Sequence, residues 1–299
     1  MDITKRPRGE NASWSFEFLM KTIRRDYIMK LTYFGTAAAE GFPAVFCNCD
    51  YCKEARLLGG KNIRTRSQAL VNEDLLIDFN ADTYWHFLAN GVKGYELPYV
   101  LVTHSHSDHF YLDEFERHQS PFAHEMTAPF LEVYGGKEVC ERIDGNSLLR
   151  RVHTHRLKAF EPTQIGKYTV TALPARHMET EEAFIYIIES DSVLLYAHDT
   201  GYFYDEVFEY IREKKIRFDL VSYDCTNVDI EISNKGGHMG LPNIRRVDAK
   251  LAEMGAVDKE TKRVINHFSH NARPIQSVLE EKVKDDGYLV AYDGWQVEF

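Results

Sequence analysis

The chain has 299 residues, enough to bury a full core as one large domain or two smaller ones. Its composition, 44% hydrophobic and 27% charged, is ordinary for a globular protein, and a formal net charge of -10 argues against a non-specific nucleic-acid binder, since no broad basic surface is available to neutralise phosphates. No apolar run approaches the roughly 20 residues that span a bilayer, and residues 1–10 are charged without the apolar core of a secretory signal, so a cytoplasmic protein with no membrane partner is expected.

In chain order, residues 1–29 read as an N-terminal extension, with a short amphipathic helix over 15–23. A single domain over 30–299 comes after it, opening on a strand, Lys30-Leu31-Thr32-Tyr33-Phe34, that breaks at Gly35. Next, Cys47-Asn48-Cys49-Asp50-Tyr51-Cys52 holds three of the five cysteines, too many for one disulfide. In a reducing compartment they read as thiolate ligands of a structural zinc, with His270 as a candidate for the fourth. Cys140 and Cys225 stand alone and read as small core residues.

Short strands are expected at 68–71 and 75–77, joined by the polar turn Asn72-Glu73-Asp74 and closed by Asp78. Helical sequence occupies 82–90. The apolar run Tyr99-Val100-Leu101-Val102 then leads into Thr103-His104-Ser105-His106-Ser107-Asp108-His109. A strand that delivers three imidazoles and a carboxylate into one turn is building a metal site, and these donors suit zinc, manganese or iron. Beyond it, 111–119 reads as helical, 129–134 as extended and 136–143 as helical.

The second half repeats the logic of a β-rich run leading to a ligand. Val170-Thr171-Ala172-Leu173-Pro174 leads to His177, Val193-Leu194-Leu195-Tyr196 to Asp199, and Arg263-Val264-Ile265-Asn266 to His267. Helices are expected over 204–214, 241–253 (with Pro242 in its first turn) and 275–285. Asp293-Gly294, between apolar runs, signals a closing hairpin. Two β-rich halves, each carrying helices, fit an α/β (α+β) fold arranged as a four-layer αββα sandwich.

The HxHxDH spacing resembles the signature of the metallo-β-lactamase superfamily, and the later His, Asp and His fall in the order that superfamily uses. Within it, 30–299 looks like the PhnP-type phosphodiesterases, which pair that site with a Cys-x-Cys-x-x-Cys loop and a late His. The resemblance implies a binuclear centre of two divalent cations (Zn, Mn or Fe) and one structural Zn. His104, His106 and His177 would hold the first ion, Asp108, His109 and His267 the second, and Asp199 would bridge them. Cys47, Cys49, Cys52 and His270 would hold the zinc. A hydroxide shared by two ions roughly 3.5–4 Å apart would attack a small, sometimes cyclic, phosphodiester substrate. Asp108 counts here both as a ligand and as a catalytic carboxylate.

His238, in Gly236-Gly237-His238-Met239-Gly240, matches a general-acid histidine of those enzymes, and Asp78 matches a carboxylate that orients a ligand histidine. Two residues after Asp78, Asn80 stands where the family often has Gly. The strand-ending Asp224 reads either as a similar support or as a simple strand end, and Arg64 and Arg66 as solvated or as phosphate contacts. His153, His155, His198, His86, His118 and His124 carry no constellation of their own.

The resemblance further implies a homodimer. No long basic arm like that of tRNase Z is present, so nucleic acid is not the expected partner. Gly35-Thr36-Ala37-Ala38-Ala39-Glu40-Gly41-Phe42-Pro43 looks like PqqB of quinone-cofactor biosynthesis, which tends to lack the complete ligand set. That role, and lactone or thioester hydrolysis on the same fold, are the alternatives.

Overall fold

The computed structural model describes residues 28–299, so the helix expected over 15–23 lies outside the described residues. The first half supplies β1 (Lys30–Gly35), α1 (Asp50–Leu58), β2 (Gln68–Val71), β3 (Leu75–Ile77), α2 (Thr83–Asn90), β4 (Tyr99–Leu101), β5 (Leu131–Gly135), α3 (Lys137–Asp144) and β6 (Val152–Arg156). The second supplies β7 (Pro162–Ile165), β8 (Tyr168–Pro174), β9 (Phe184–Glu189), β10 (Val193–Ala197), α4 (Asp205–Lys214), β11 (Leu220–Asp224), α5 (Leu241–Glu253), β12 (Lys262–Asn266), α6 (Gln276–Val283), β13 (Leu289–Val290) and β14 (Trp295–Glu298).

Two seven-stranded mixed sheets result, ordered β14-β1-β2-β3-β4-β5-β6 and β13-β12-β11-β10-β9-β8-β7. In each, an antiparallel half meets a parallel half: β3 to β6 in one sheet and β10 to β13 in the other run parallel. Alternation along the strands explains the layering. On β9, Tyr186 and Ile188 enter the core between the sheets, while Ile185 and Ile187 enter the core beneath α4, α5 and α6. A strand apolar on both faces needs cover on both, a sheet on one side and helices on the other. Val139 and Ile143 of α3 pack with Leu76, Val100 and Val133 on the outer face of the first sheet. This is the expected αββα sandwich.

The sheets are fastened to each other where the parallel strands end. Phe184 N donates to Thr103 O (3.0 Å), Tyr186 OH to Val102 O (2.6 Å), and Phe268 N to Thr36 O (3.0 Å). Ligands in open α/β sheets gather in the crevice beyond such carboxyl ends.

Two local expectations differ. Asp293-Gly294 makes no hairpin: β13 pairs with β12 in one sheet and β14 with β1 in the other, so the dipeptide is a crossing between layers. Asp293 serves that crossing, accepting from Thr36 Oγ1 and Thr65 N, both at 2.6 Å. The helical segment expected over 111–119 is present as a 3-10 helix, Leu112–His118. Arg64 is neither solvated nor free for a phosphate; it is 2% exposed and donates to Thr36 Oγ1, Ala291 O and Gln276 Oε1 at 2.8, 2.8 and 2.6 Å. Its neighbour Arg66 is tied to Asp82 at 2.8 Å.

Arg64 thus links the loop after β1, the start of α6 and the crossing strand, and a buried acceptor stripped of its donor is costly. Arg64→Met should lower the unfolding free energy by about 2–4 kcal/mol in urea titration, the range for breaking a buried polar network. A loss under about 0.5 kcal/mol, the size of an ordinary surface substitution, would show that the network carries no load.

Candidate metal centre

The turn after β4 is held from below by Asp78, at the end of β3. One Asp78 oxygen accepts from Thr103 N (2.8 Å) and Thr103 Oγ1 (2.9 Å), and the other lies 2.7 Å from His109 Nδ1. Phe110 N closes the turn onto His106 O at 2.7 Å. Arg142 of α3 braces its outside, with Nη1 on Ser105 O at 2.8 Å and the guanidinium 5.0 Å above the Phe110 ring. The Ser105 hydroxyl, in turn, donates to Glu181.

From this turn His104 Nε2 and His106 Nδ1 approach to 2.9 Å, and His177 Nε2 reaches the same His106 nitrogen at 3.1 Å. His177 Nδ1 faces Gly237 O at 3.1 Å. A carbonyl only accepts, so the His177 proton is on Nδ1 and Nε2 presents its lone pair to the cluster. Burial, and then the neighbouring imidazoles, hold His104 well below the ordinary histidine value, so it too is a neutral donor.

Asp199 lies between two groups. Its Oδ1 is 3.9 Å from His177 Nε2 and 3.4 Å from His238 Nδ1, while its Oδ2 faces His109 Nε2 and sits 3.2 Å from His267 Nε2. Asp108 Oδ2 is 3.3 Å from His109 Nε2. His104, His106 and His177 therefore form one group of donor atoms within 4.8 Å of one another, and Asp108, His109 and His267 form a second. Asp199 also groups with His104 and His109.

Two observations test whether these residues fit a cation. His109 Nε2, His267 Nε2 and Asp199 Oδ2 are all buried without a hydrogen-bond partner, though they converge. Buried polar atoms are normally satisfied, and here a lone-pair acceptor is what all three lack. Charge argues the same way. Burial alone would lower His109, but Asp199, Asp78 and Asp108 lift it well above the ordinary value, so the carboxylates around the ring, Asp199 and Asp108 at Nε2 and Asp78 at Nδ1, favour positive charge there. The donor set fits a divalent cation. Asp78 (φ 68°), Asp199 (φ 49°) and His267 (φ 62°) are moreover left-handed non-glycine residues at strand ends, a strain that collects at functional sites.

His238 stands beside both groups, its side chain 30% exposed. Its Nδ1 is 3.0 Å from Asp224 Oδ2 and 3.2 Å from Thr226 Oγ1. Burial would lower it, yet Asp224, reinforced by Asp199, raises it to about 9. Asp224 is thereby a support as well as a strand end, its second oxygen accepting from Thr226 N (3.1 Å) and Met239 N (3.0 Å). Asp199, Asp224, His238 and His267 also fall within 4.8 Å of one another, so His238 is within reach of a cation as well. Thr226, whose Oγ1 is 2.8 Å from His267 Nδ1, was invisible in the sequence, because a lone Thr carries no spacing signal. Asn80 is not left-handed; its amide instead donates to Ser67 O at 2.9 Å.

The cysteine loop forms a separate cluster. Cys47, Cys49, Cys52 and His270 lie within 4.8 Å of one another, with Cys52 Sγ 3.6 Å from His270 Nδ1. The Cys52 amide, in the first turn of α1, pulls the Cys49 thiol down to about 6, whereas burial pushes Cys52 up to about 11. Three sulfurs and one imidazole are a donor set of structural zinc. Cys140 and Cys225 are buried apart from it. His153 and His155 flank Glu132 on the outside of β6 and do not join either centre. His86 and His198 are buried, on Gln68 and Ser222 respectively, each at 2.7 Å.

The loop that carries His238 depends on glycine. A Cβ on Gly201 would sit 1.8 Å from Gly236 O, and one on Gly237 would meet His177 O at 3.2 Å. Gly201→Ala must therefore displace the loop bearing His238. Thermal unfolding should show a loss of about 1–3 kcal/mol, typical of overpacking, and an unchanged midpoint would mean the contact is slack.

A family model described as a beta-lactamase superfamily domain matches residues 82–264. No curated protein sequence matches the chain. Among solved structures, the fold is similar to a diphosphatase from the PhnP family, at 22% identity and a TM-score of 0.70 over 91% of this chain and 98% of that one. It is also similar to Zn(2+)-bound PqqB from Methylobacterium extorquens (18%, TM-score 0.70, 90% and 100% covered). The short form of human tRNase Z is a third (15%, TM-score 0.59, 90% and 98% covered). With the family match spanning more than half of its length, the chain belongs to the beta-lactamase superfamily and has the metallo-β-lactamase fold of metal-dependent hydrolases.

Proposed function

We propose that the chain is a phosphodiesterase acting on small phosphodiesters, cyclic ones included. The observation that carries this reading is the convergence of buried, partnerless His109 Nε2, His267 Nε2 and Asp199 Oδ2 beside the His104, His106 and His177 trio. On this reading those three histidines would hold one divalent cation, Asp108, His109 and His267 a second, and Asp199 would reach both. Bound there, a cation pair supplies an acidified water and positive charge against the phosphoryl oxygens. Cys47, Cys49, Cys52 and His270 would hold a zinc of structural use only.

The remaining work falls to the protein. Asp78 keeps the His109 proton on Nδ1 and leaves Nε2 free to ligate. Asp224 holds His238 by Nδ1, which leaves Nε2–H as the remaining donor of a ring that is 30% exposed, and the same carboxylate keeps the ring protonated near neutrality. A positioned imidazolium is what a departing alkoxide needs. Compact substrates suit a chain of net charge -10 better than RNA does. The full donor set also weighs for a hydrolase over a PqqB-like role.

Metal analysis should find about three ions per chain, and the manganese-loaded protein should hydrolyse bis(p-nitrophenyl) phosphate. Turnover of lactones or thioesters with none of diesters would overturn the reading. His238→Ala should keep its metal while kcat falls by about 10²- to 10⁴-fold, and an unchanged kcat would remove the acid role. Asp78→Ala should weaken active-site metal binding by about 10- to 100-fold in chelator competition while the cysteine-bound ion stays. Equal affinity in the two proteins would mean Asp78 does not position His109.

A further inference from the structure

The stretch 267–270 belongs to both donor clusters. His267 has a left-handed backbone (φ 62°), Phe268 is fully buried, and His270 Nδ1 lies 3.6 Å from Cys52 Sγ. The same stretch is gripped by the segment that leads into the cysteine loop. Phe268 N donates to Thr36 O and Ala38 N to Phe268 O, both at 3.0 Å. Further along, Glu40 Oε1 accepts from Ser269 Oγ at 2.6 Å and from His270 N at 3.1 Å. The cysteine cluster therefore meets the metal centre across residues 268–270. A left-handed histidine persists only where its surroundings over-determine it, and the place of His270 among the sulfurs is one such restraint on His267.

The three sulfurs are not equivalent. Cys52 is fully buried in the first turn of α1, whereas Cys47 and Cys49 are half-buried. Cys49 caps that helix, so Cys49-Asp50-Tyr51-Cys52 is a Cys-x-x-Cys pair at a helix start, the spacing of many redox-active disulfides. The two Sγ atoms already lie within 4.8 Å of one another. Cys47 Sγ instead accepts from Cys49 N at 3.4 Å. An outer thiolate that an oxidant can reach, next to an inner one able to resolve it, makes up a reversible redox site.

We propose that Cys49 and Cys52 are a peroxide-sensitive thiol pair, whose closure into a disulfide dismantles the cysteine cluster and, through 268–270, loosens His267 in the metal centre. The Cys49 thiolate attacks one oxygen of hydrogen peroxide. An S–O bond forms, the O–O bond breaks and hydroxide leaves, giving a sulfenic acid. The Cys52 thiolate then attacks the Cys49 sulfur, so that an S–S bond forms, the S–O bond breaks and a second hydroxide leaves. The two thiolates lose two electrons in all, the peroxide gains them, and two protons from solvent convert the hydroxides to water. Cys47 and His270 alone are too few donors to keep a zinc ion, so His270 loses its anchor. This inference goes beyond the phosphodiesterase reading and uses only the two donor clusters, whichever ester is cleaved.

The test uses the full chain with zinc in the cysteine cluster and manganese in the metal centre, treated with hydrogen peroxide and then separated from it by gel filtration. Elemental analysis should find about one zinc per chain lost, and peptide mass mapping should find Cys49 joined to Cys52. Chelator competition should then show manganese held about 10-fold more weakly than in the reduced protein, the scale on which a supporting contact acts on a metal site. Dithiothreitol with added zinc should restore the original affinity. Cys49→Ser should form no such bridge, and peroxide should leave its manganese affinity unchanged. If that variant does not fold, recovery of the wild-type protein by dithiothreitol and zinc decides the same question. The proposal is overturned if the cysteines stay reduced and the zinc stays bound, if the bridge runs to Cys47 instead, or if the Cys49–Cys52 disulfide forms and manganese is held as tightly as before. A weakened centre that dithiothreitol and zinc fail to restore overturns it too, because the damage then lies elsewhere. None of these readouts needs a substrate, so a failure of the phosphodiesterase reading, seen in turnover alone, is distinguishable from a failure of the thiol switch.

Discussion

Everything in this molecule depends on two sheets being pinned together at the ends of their parallel strands. The bonds from Phe184 N to Thr103 O and from Phe268 N to Thr36 O cross from one sheet to the other beside the His104 turn and His267. Without them the two halves would still bury their faces against one another, since hydrophobic contact has no direction. Their strand ends, however, would be free to slide. Hydrogen bonds supply the registry that apolar packing cannot, and His109 and His267, donors from opposite sheets, meet at Asp199 only when that registry is kept.

A second layer of support fixes the rings themselves. Asp78 and Asp224 occupy related positions, each closing a strand in the parallel part of its own sheet, and each holding a histidine by Nδ1. Near-symmetric sheets thus offer near-symmetric carboxylates. One lies beneath His109, fully enclosed, and the other beneath His238, which is partly exposed. Equivalent scaffolding with unequal exposure seals one imidazole among buried donor atoms and leaves the other open to solvent.

Much of this was legible in the sequence because its signals are local. A strand that runs into His-x-His-x-Asp-His, or into a lone His or Asp, states where the donors are and in which order they arrive. The hairpin at Asn72-Glu73-Asp74 and the helix at Leu241–Glu253 obey equally local rules. Failures came where the decisive partner lies far along the chain. Asp293-Gly294 has the composition of a hairpin, but β1 claims the strand Trp295–Glu298 beyond it, and Thr36 and Thr65 claim its carboxylate. Arg64 has the polarity of a surface residue, and only its distant acceptors Ala291 and Gln276 make burial tolerable. Asp224 could not be ranked until His238, fourteen positions later, was seen to fold back on it.

The late placement of His267 and His270 has a consequence for how the protein comes into being. Donors from 47–52 and 104–109 leave the ribosome long before their last partners are synthesised. During that interval a nascent chain displays thiols and imidazoles in incomplete sets. Because the two histidines are separated by only two residues, Phe268 and Ser269, both clusters are completed almost at the same moment. One short segment after β12, 267–270, thus closes both donor clusters.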